Sequence, residues 1–412
     1  MNTQEIRIGV IGSVDSGKST ITGVLTKNIL DDGRGSARSH VMRHPHELKT
    51  GRTSSIISHY TKYIHPDTGV EKDITFVDLA GHEKYLKTTI NGIHRCQIDY
   101  AQVIVGANMG ILRMTEEHLT LSLSLAIPTF VTVTKIDIAP ENILERTLNT
   151  LQIFLAKKTG GKRQAILIKS IADIHALFDN YYSKGDIITP VPIFQVSSVS
   201  GNGLDMLRDY ISKLPVYKDW ATRQLSQNPN YIIDSNYFVK GIGIVLSGVT
   251  VDGCIRIGDI LQLGPINRKF HFVQVKSIHN NYRESVDMLV AGQSGCLNIK
   301  CMSKDLVLHR RHIRHGCRVM RDPSVFNEFE AIVRILHHPT TIKTNYEPTI
   351  HCGPVCQTAK IIGMDKDCIR LGDTATVKFQ FKYRPEYIEP AMKFVFREGQ
   401  TKGVGKIVSV CK

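Results

Sequence analysis

Gly12-Ser13-Val14-Asp15-Ser16-Gly17-Lys18-Ser19 decides how this 412-residue chain is read. Ile6-Arg7-Ile8-Gly9-Val10 precedes it and Thr20-Ile21-Thr22-Gly23-Val24-Leu25 follows, so a glycine-rich loop is expected between a short buried strand and a helix. In that setting Gly12 and Gly17 let successive N–H groups face one anion, and the helix N-terminus adds its positive end. Asp15, Ser16, Gly17, Lys18, Ser19 and Thr20 are then expected around the phosphates of a nucleoside triphosphate. Lys18 reaches the β- and γ-phosphates in this reading, and the Ser19 hydroxyl holds Mg²⁺.

Further along, residues 6–10, 56–64, 74–77, 103–105, 130–133 and 193–196 read as strands alternating with helical stretches. Pro140-Glu141-Asn142-Ile143-Leu144 opens one helix, and Gly203-Leu204-Asp205-Met206-Leu207 another. Strand–helix alternation implies a mostly parallel sheet with helices on both faces, its ligands at the carboxyl ends of the strands.

Three strand ends carry chemistry. Asp78-Leu79-Ala80-Gly81-His82 follows a strand; Asp78 suits Mg²⁺ through a water, the Gly81 amide the γ-phosphate, and His82 the orientation of an attacking water. Thr134-Lys135-Ile136-Asp137 follows another. The Asp137 carboxylate accepts two parallel hydrogen bonds from N1–H and the exocyclic amine of guanine, a pairing adenine lacks, while the Lys135 stem covers the base. Ser197-Ser198-Val199-Ser200-Gly201 ends the last strand and offers amides to the guanine oxygen. Four motifs in this order imply a GTPase domain selective for guanine over adenine. Between the first two, Asp31-Asp32-Gly33-Arg34-Gly35-Ser36-Ala37-Arg38 and Lys49-Thr50-Gly51-Arg52-Thr53-Ser54-Ser55 are expected to be a mobile switch that orders around the γ-phosphate and Mg²⁺. Thr53 is the expected metal-ligating hydroxyl, with Ser54 or Ser55 in its place if the register slips.

Bulk properties narrow the class. The chain has room for two to four domains, and no stretch is long enough to cross a bilayer. Nine scattered cysteines and an opening Met1-Asn2-Thr3-Gln4-Glu5 without signal-peptide character point to a reducing, cytoplasmic setting. His351-Cys352-Gly353-Pro354-Val355-Cys356 has no matching second pair, so no zinc site is expected. A formal charge of +14, densest from Lys300 to Arg321 with Arg310-Arg311-His312-Ile313-Arg314-His315 inside that run, favours a polyanionic partner. Residues 215–230 read as a polar linker. Beyond them, apolar runs at 237–251, 255–263 and 271–279 alternate with Gly or Asn-Asn turns, and a second break falls near Arg321-Asp322-Pro323. The expected architecture is an α/β P-loop GTPase domain (1–222) followed by two all-β barrel domains (228–320 and 321–412).

These motifs resemble the translational GTPases of the elongation factor Tu and eukaryotic elongation factor one alpha superfamily, and the likeness runs over the entire chain. Val239-Lys240-Gly241-Ile242-Gly243-Ile244-Val245-Leu246-Ser247-Gly248 with Gly258-Asp259 is similar to their barrel signature. Within that group Gly51-Arg52-Thr53-Ser54-Ser55, His337-His338-Pro339-Thr340-Thr341, Met364-Asp365-Lys366-Asp367-Cys368 and Phe396-Arg397-Glu398-Gly399 resemble the GTP-binding protein one and two subfamily. The resemblance implies GTP or GDP as ligand with Mg²⁺ on Ser19, Thr53 and Asp78, and His82 as the water-positioning residue. It places Asp15 at a monovalent-cation position and Val14 at an apolar gate whose usual partner position holds Arg52. Thr134 stands where an asparagine is usual, which implies looser bracing of base and loop. Hydrolysis of GTP to GDP and phosphate is implied, by a monomer away from membranes, with the ribosome and tRNA or another RNA as partners. The competing implication is a GTP-switched, RNA-associated adaptor in mRNA surveillance or turnover, working with RNA-decay factors.

Overall fold

The computed structural model describes residues 4–42, 47, 56–303, 307–314, 316–336, 340–398 and 400–411. It divides into two compact units, Met1–Ile93 with Ile98–Lys218, and His94–Gln97 with Asp219–Lys412. Thr53 and Arg52, with His337 to Pro339 and Gly399, lie outside the described residues.

In the first unit, strands β1 (Gln4–Gly12), β2 (Ile57–Ile64), β3 (Glu71–Asp78), β4 (Tyr100–Gly106), β5 (Thr129–Thr134), β6 (Gln164–Leu167) and β7 (Pro190–Gln195) form one sheet. Its order is β2-β3-β1-β4-β5-β7-β6. β2 pairs antiparallel with β3, and every other pairing is parallel. The helices are α1 (Lys18–Lys27), α2 (Ser36–Ser39), α3 (Leu86–Arg95), α4 (Arg113–Ser124), α5 (Glu141–Thr159), α6 (Ile171–Asn180) and α7 (Leu204–Lys213). All seven residues of β4 are buried, as a strand covered on both faces requires. Ile21 and Val24 of α1, Ile174 of α6 and Leu207 of α7 share one core with Ile8, Phe76, Ile104 and Phe130 of the sheet. Residues of opposite parity, Val103, Val105, Val131 and Val133, are buried on the other face, as are Leu119 of α4 and Leu151 and Leu155 of α5.

The expected strands are present: β1, β3, β4, β5 and β7 start one to three residues earlier than expected, and β2 starts one residue later. The edge strand β6 is an addition to them: Gln164-Ala165-Ile166-Leu167 is four residues long, too short to register as a period. Side chains hold the backbone turn in residues 31–38, part of the expected switch. The Asp31 carboxylate accepts the amides of Gly33, Gly35 and Ala37 at 3.1, 3.2 and 2.9 Å. Asp32 takes those of Arg34 and Ser36 at 2.8 and 3.1 Å. Gly and Ser here make an Asx-type turn instead of slack. α2 then lies against α1 at Gly23, where a Cβ would fall 2.2 Å from the Ala37 carbonyl oxygen.

The second unit begins with a further difference. Within the expected linker, residues 220–224 form helix α8 (Trp220–Gln224), capped by the Asp219 carboxylate. Trp220 is buried, its ring 2.9 Å from where a Cβ on Gly292 would stand. β8 (Asn230–Val239), β9 (Gly243–Asp252), β10 (Cys254–Arg256), β11 (Ile260–Ile266), β12 (Lys269–Asn280), β13 (Ser285–Val286), β14 (Met288–Val290), β15 (Ser294–Cys301) and β16 (Arg318–Met320) follow. Six of them close as β11-β16-β8-β9-β15-β12, with β12 pairing back to β11. The apolar run 237–251 is therefore a hairpin, turned at Lys240-Gly241-Ile242 with Gly241 at φ +82°.

A second six-stranded antiparallel barrel closes in the order β17-β20-β19-β18-β21-β22. Its strands are β17 (Glu328–Ile335), β18 (Thr349–Cys352), β19 (Val355–Met364), β20 (Thr374–Phe381), β21 (Lys393–Glu398) and β22 (Gln400–Cys411). Inward residues alternate along β17 and β20, and Phe329, Phe379, Phe394 and Phe396 fill the interior. Cys352 belongs to that core, and His351 beside it is buried. Among the described residues no His, Cys, Asp or Glu cluster stands at metal-holding distance.

The α1–α2 contact gives the fold a sharp test. Gly23→Ala should force Ala37 away from α1 at a cost of about 1–3 kcal/mol. Hydrogen exchange should show faster amides across residues 33–39, with the β-barrel amides unchanged.

Candidate nucleotide-binding site

β1 ends at Gly12 with φ +150°, and a Cβ there would sit 2.4 Å from the Ile104 carbonyl oxygen. Only glycine lets the chain turn off the sheet so close to β4. Asp15 at φ +60° and Gly17 at φ +93° complete the turn into α1. The loop closes around one acceptor, the Ser13 carbonyl, which receives Lys18 Nζ at 2.7 Å and Ser16 Oγ at 2.9 Å. Behind it, Ser13 Oγ and Thr115 Oγ1 of α4 share a buried hydrogen bond of 2.8 Å. Lys18 is only 7% exposed. Burial pulls its ammonium below the ordinary lysine range, while Asp78 and Asp15 pull it back up.

One turn along α4 from Thr115, His118 is fully buried and neither ring nitrogen has a hydrogen-bond partner. Burial first, and the Lys18 charge second, push it down to about 3, so the imidazole is neutral at working pH. It adds no charge behind the loop. Thr115 and His118 stand outside the four motifs; their i, i+3 spacing is the signal that both face the loop.

At the carboxyl end of β3, Asp78 is 2% exposed and its Oδ2 accepts the Ser19 hydroxyl at 2.8 Å. A hydroxyl and a carboxylate side by side are the hard oxygen donors Mg²⁺ selects, so these two residues fit that ion. Gly81 brings the chain back over the loop, and a Cβ there would be 2.4 Å from Lys18 Nζ. His82 is exposed beyond it; its Nδ1 accepts the Lys84 amide at 3.1 Å.

On the other side of the loop Thr134 ends β5. Its hydroxyl donates to the Ser16 carbonyl at 2.6 Å, with a longer contact of 3.4 Å to the Val105 carbonyl. On the loop side, bracing is kept where its loss was expected: a hydroxyl one bond shorter than an asparagine amide still reaches the loop. Lys135 at φ +61° donates to the Asp15 carbonyl at 2.8 Å, which fixes its stem across the site mouth. Ser197 Oγ accepts the amides of Val199 and Ser200 at 3.2 and 3.1 Å and so shapes the last loop from beneath.

One cavity of about 630 Å³ collects these parts. It is lined by Asp15, Gly17, Lys18, Ser19 and Thr20 of the first loop, Gly81 and His82 of the second, Thr134, Lys135 and Asp137 of the third, and Ser198 and Val199 of the fourth; Val14 also lines it. Ser16, Asp78 and Ser197 do not line it and act from behind through the bonds just given. Asp31, Gly33, Arg34, Gly35 and Arg38 of the expected switch segment also line it, and Lys84, Tyr85 and Ile138 were not foreseen in this role.

Comparison with known proteins agrees with this geometry. The family model described as the elongation factor Tu GTP binding domain matches residues 3–216. GTP-binding protein 1 of Xenopus laevis is 40% identical over 98% of this chain and 63% of its own length. GTP-binding protein 2 of Homo sapiens is 37% identical over 98% of this chain and 69% of its own. The chain thus spans under two thirds of the Xenopus relative. A bacterial selenocysteine-specific elongation factor, EF-Sec, shares the fold with a TM-score of 0.73 at 22% identity, covering 98% of this chain and 58% of that one. On the domain match and the two likenesses over nearly the whole chain, this chain belongs to the translational GTPase family defined by the elongation factor Tu GTP binding domain, alongside GTP-binding proteins 1 and 2.

Proposed function

We propose that this chain binds GTP with Mg²⁺, hydrolyses it to GDP and phosphate, and acts on the ribosome with tRNA or a related RNA. The observation that carries the reading is the single cavity on which four separate strand ends deliver phosphate-, metal-, water- and base-directed groups. Residues 1–222 are the catalytic domain in this reading, and 228–320 and 321–412 are the barrel domains.

The loop amides from Asp15 to Thr20 and the Lys18 ammonium hold the phosphates. Ser19 and Asp78 hold Mg²⁺, with Thr53 as a third ligand. When bound, Mg²⁺ neutralises charge on the β- and γ-phosphates. The Gly81 amide contacts the γ-phosphate and places His82 beside the attacking water. Because His82 Nδ1 already accepts the Lys84 amide, Nε2 is the ring nitrogen left to meet the attacking water and orient it. Asp137 reads the guanine edge, Lys135 covers the ring, and the Ser198 and Val199 amides meet its oxygen. Catalysis is positioning plus electrostatic stabilisation, with little covalent work for the protein.

The RNA assignment rests on two supports. The net charge is +14, and the structurally similar EF-Sec is by name an elongation factor. Pull-down with a slowly hydrolysed GTP analogue tests it: ribosomes and tRNA should be retained with the analogue and released with GDP. Retention of decay nucleases without ribosomes would instead place the chain as a switched adaptor.

Three substitutions follow from the site. His82→Ala should leave GTP affinity within about threefold and lower ribosome-stimulated hydrolysis by about 10²-fold or more, measured by phosphate release. Asp137→Asn should move preference from guanosine to xanthosine triphosphate, since an amide N–H then faces the base where an acceptor stood; competition binding reads this out. Thr134→Val removes one hydroxyl at constant shape and should speed release of labelled GDP by about three- to tenfold.

A further inference from the structure

Arg34 and Arg38 are two of the cavity-lining residues that the four motifs do not account for. Both are carried by a segment that is fixed at several points. The Asp31 amide donates to the Ser198 carbonyl at 2.8 Å, which ties the segment to the base-side loop. Asp31 and Asp32 then hold five amides of the turn, and Ala37 rests on Gly23 of α1. Arg38 is half-buried, and its side chain lies across the Gly35 backbone: a Cβ on Gly35 would meet Arg38 Nε at 2.4 Å, and Gly35 itself sits at φ +96°. Arg34 is exposed at the rim.

Neither guanidinium has an ion-pair partner among the described residues. The acids nearest in sequence, Asp32 and Asp31, have their carboxylates occupied by two and three amides. A guanidinium held in a cavity wall beside Lys18 and Thr20, with no carboxylate to neutralise it, suits a phosphate, which its planar fork contacts bidentately. The position along the nucleotide follows from the anchors. One end of the segment is bonded to Ser198 on the base side, and the other rests five residues along the chain from Lys18. Gly81, which approaches Lys18 Nζ, belongs to a different loop.

Building on the GTP-binding reading, we propose that Arg38, assisted by Arg34, clamps the α- and β-phosphates shared by GDP and GTP, so that the chain supplies its own arginine for nucleotide retention. The clamp acts on ground-state binding of both nucleotides and leaves the γ-phosphate to Lys18, Gly81 and the metal.

Equilibrium binding of labelled GDP and of a slowly hydrolysed GTP analogue tests this on the full chain. Arg38→Ala should weaken both by about tenfold and by factors equal within twofold; Arg38→Lys should recover part of the loss, and Arg34→Ala should weaken both by about threefold. A loss confined to the GTP analogue would place the guanidinium on the third phosphate and overturn the proposal, and so would unchanged affinity for both. If Arg38→Ala melts below the assay temperature, Arg38→Gln and Arg34→Ala carry the same comparison, and the same two results would overturn the clamp. Wild-type protein without affinity for guanine nucleotides would instead sink the underlying reading, and this inference with it.

Discussion

A lysine ammonium 7% exposed to water is the constraint around which the first unit is built. Burying that charge costs several kcal/mol unless something compensates, and Lys18 finds a loop carbonyl at 2.7 Å with the Asp78 and Asp15 charges nearby. A triphosphate offers a stronger compensation than a neutral carbonyl. The same desolvation that lowers the ammonium's pKa therefore makes the site want an anion. His118, buried behind the loop, stays uncharged and adds no competing charge there.

Rigidity of the loop comes from cross-bracing by elements distant in sequence. Thr115 holds Ser13 from α4, Thr134 holds Ser16 from β5, and Lys135 holds Asp15 from the following turn. Each is a single hydrogen bond worth about 1 kcal/mol net. Together they fix three successive parts of one short loop, so the amides are aimed before an anion arrives. That is the structural meaning of preorganisation in a reaction where positioning and charge do most of the catalytic work.

What the sequence discloses and what it conceals divide along physical lines. Gly12 and Gly17 are legible because the backbone conformations a phosphate loop needs exclude side chains, and Asp137 because guanine recognition needs a carboxylate at a fixed place after a strand. The barrels are legible through period-two burial in runs such as β17 and β20. Residues 31–38 are not. An Asx turn that locks two arginines and a polar, mobile switch use the same Asp, Gly and Ser vocabulary, and only the contact with Gly23 and the bond to Ser198 separate them. Thr115 and His118 are hidden because their role depends on tertiary packing of α4 beside β1, which leaves no mark beyond helical spacing. Thr134 reads in sequence as a missing amide, whereas its short hydroxyl already reaches Ser16. The segment holding Thr53 lies outside the described residues, so the third metal ligand stands on its motif alone.

The central claim is that one rigid cavity binds a guanine nucleotide through its phosphates, a metal and a base-reading carboxylate together. Titration calorimetry with GTP and ATP, each with Mg²⁺ and again with excess chelator, addresses it most directly. The account predicts binding of GTP, at least a hundredfold weaker binding of ATP, and weakened GTP binding once Mg²⁺ is removed. Equal affinity for GTP and ATP, or GTP binding indifferent to the chelator, would contradict it.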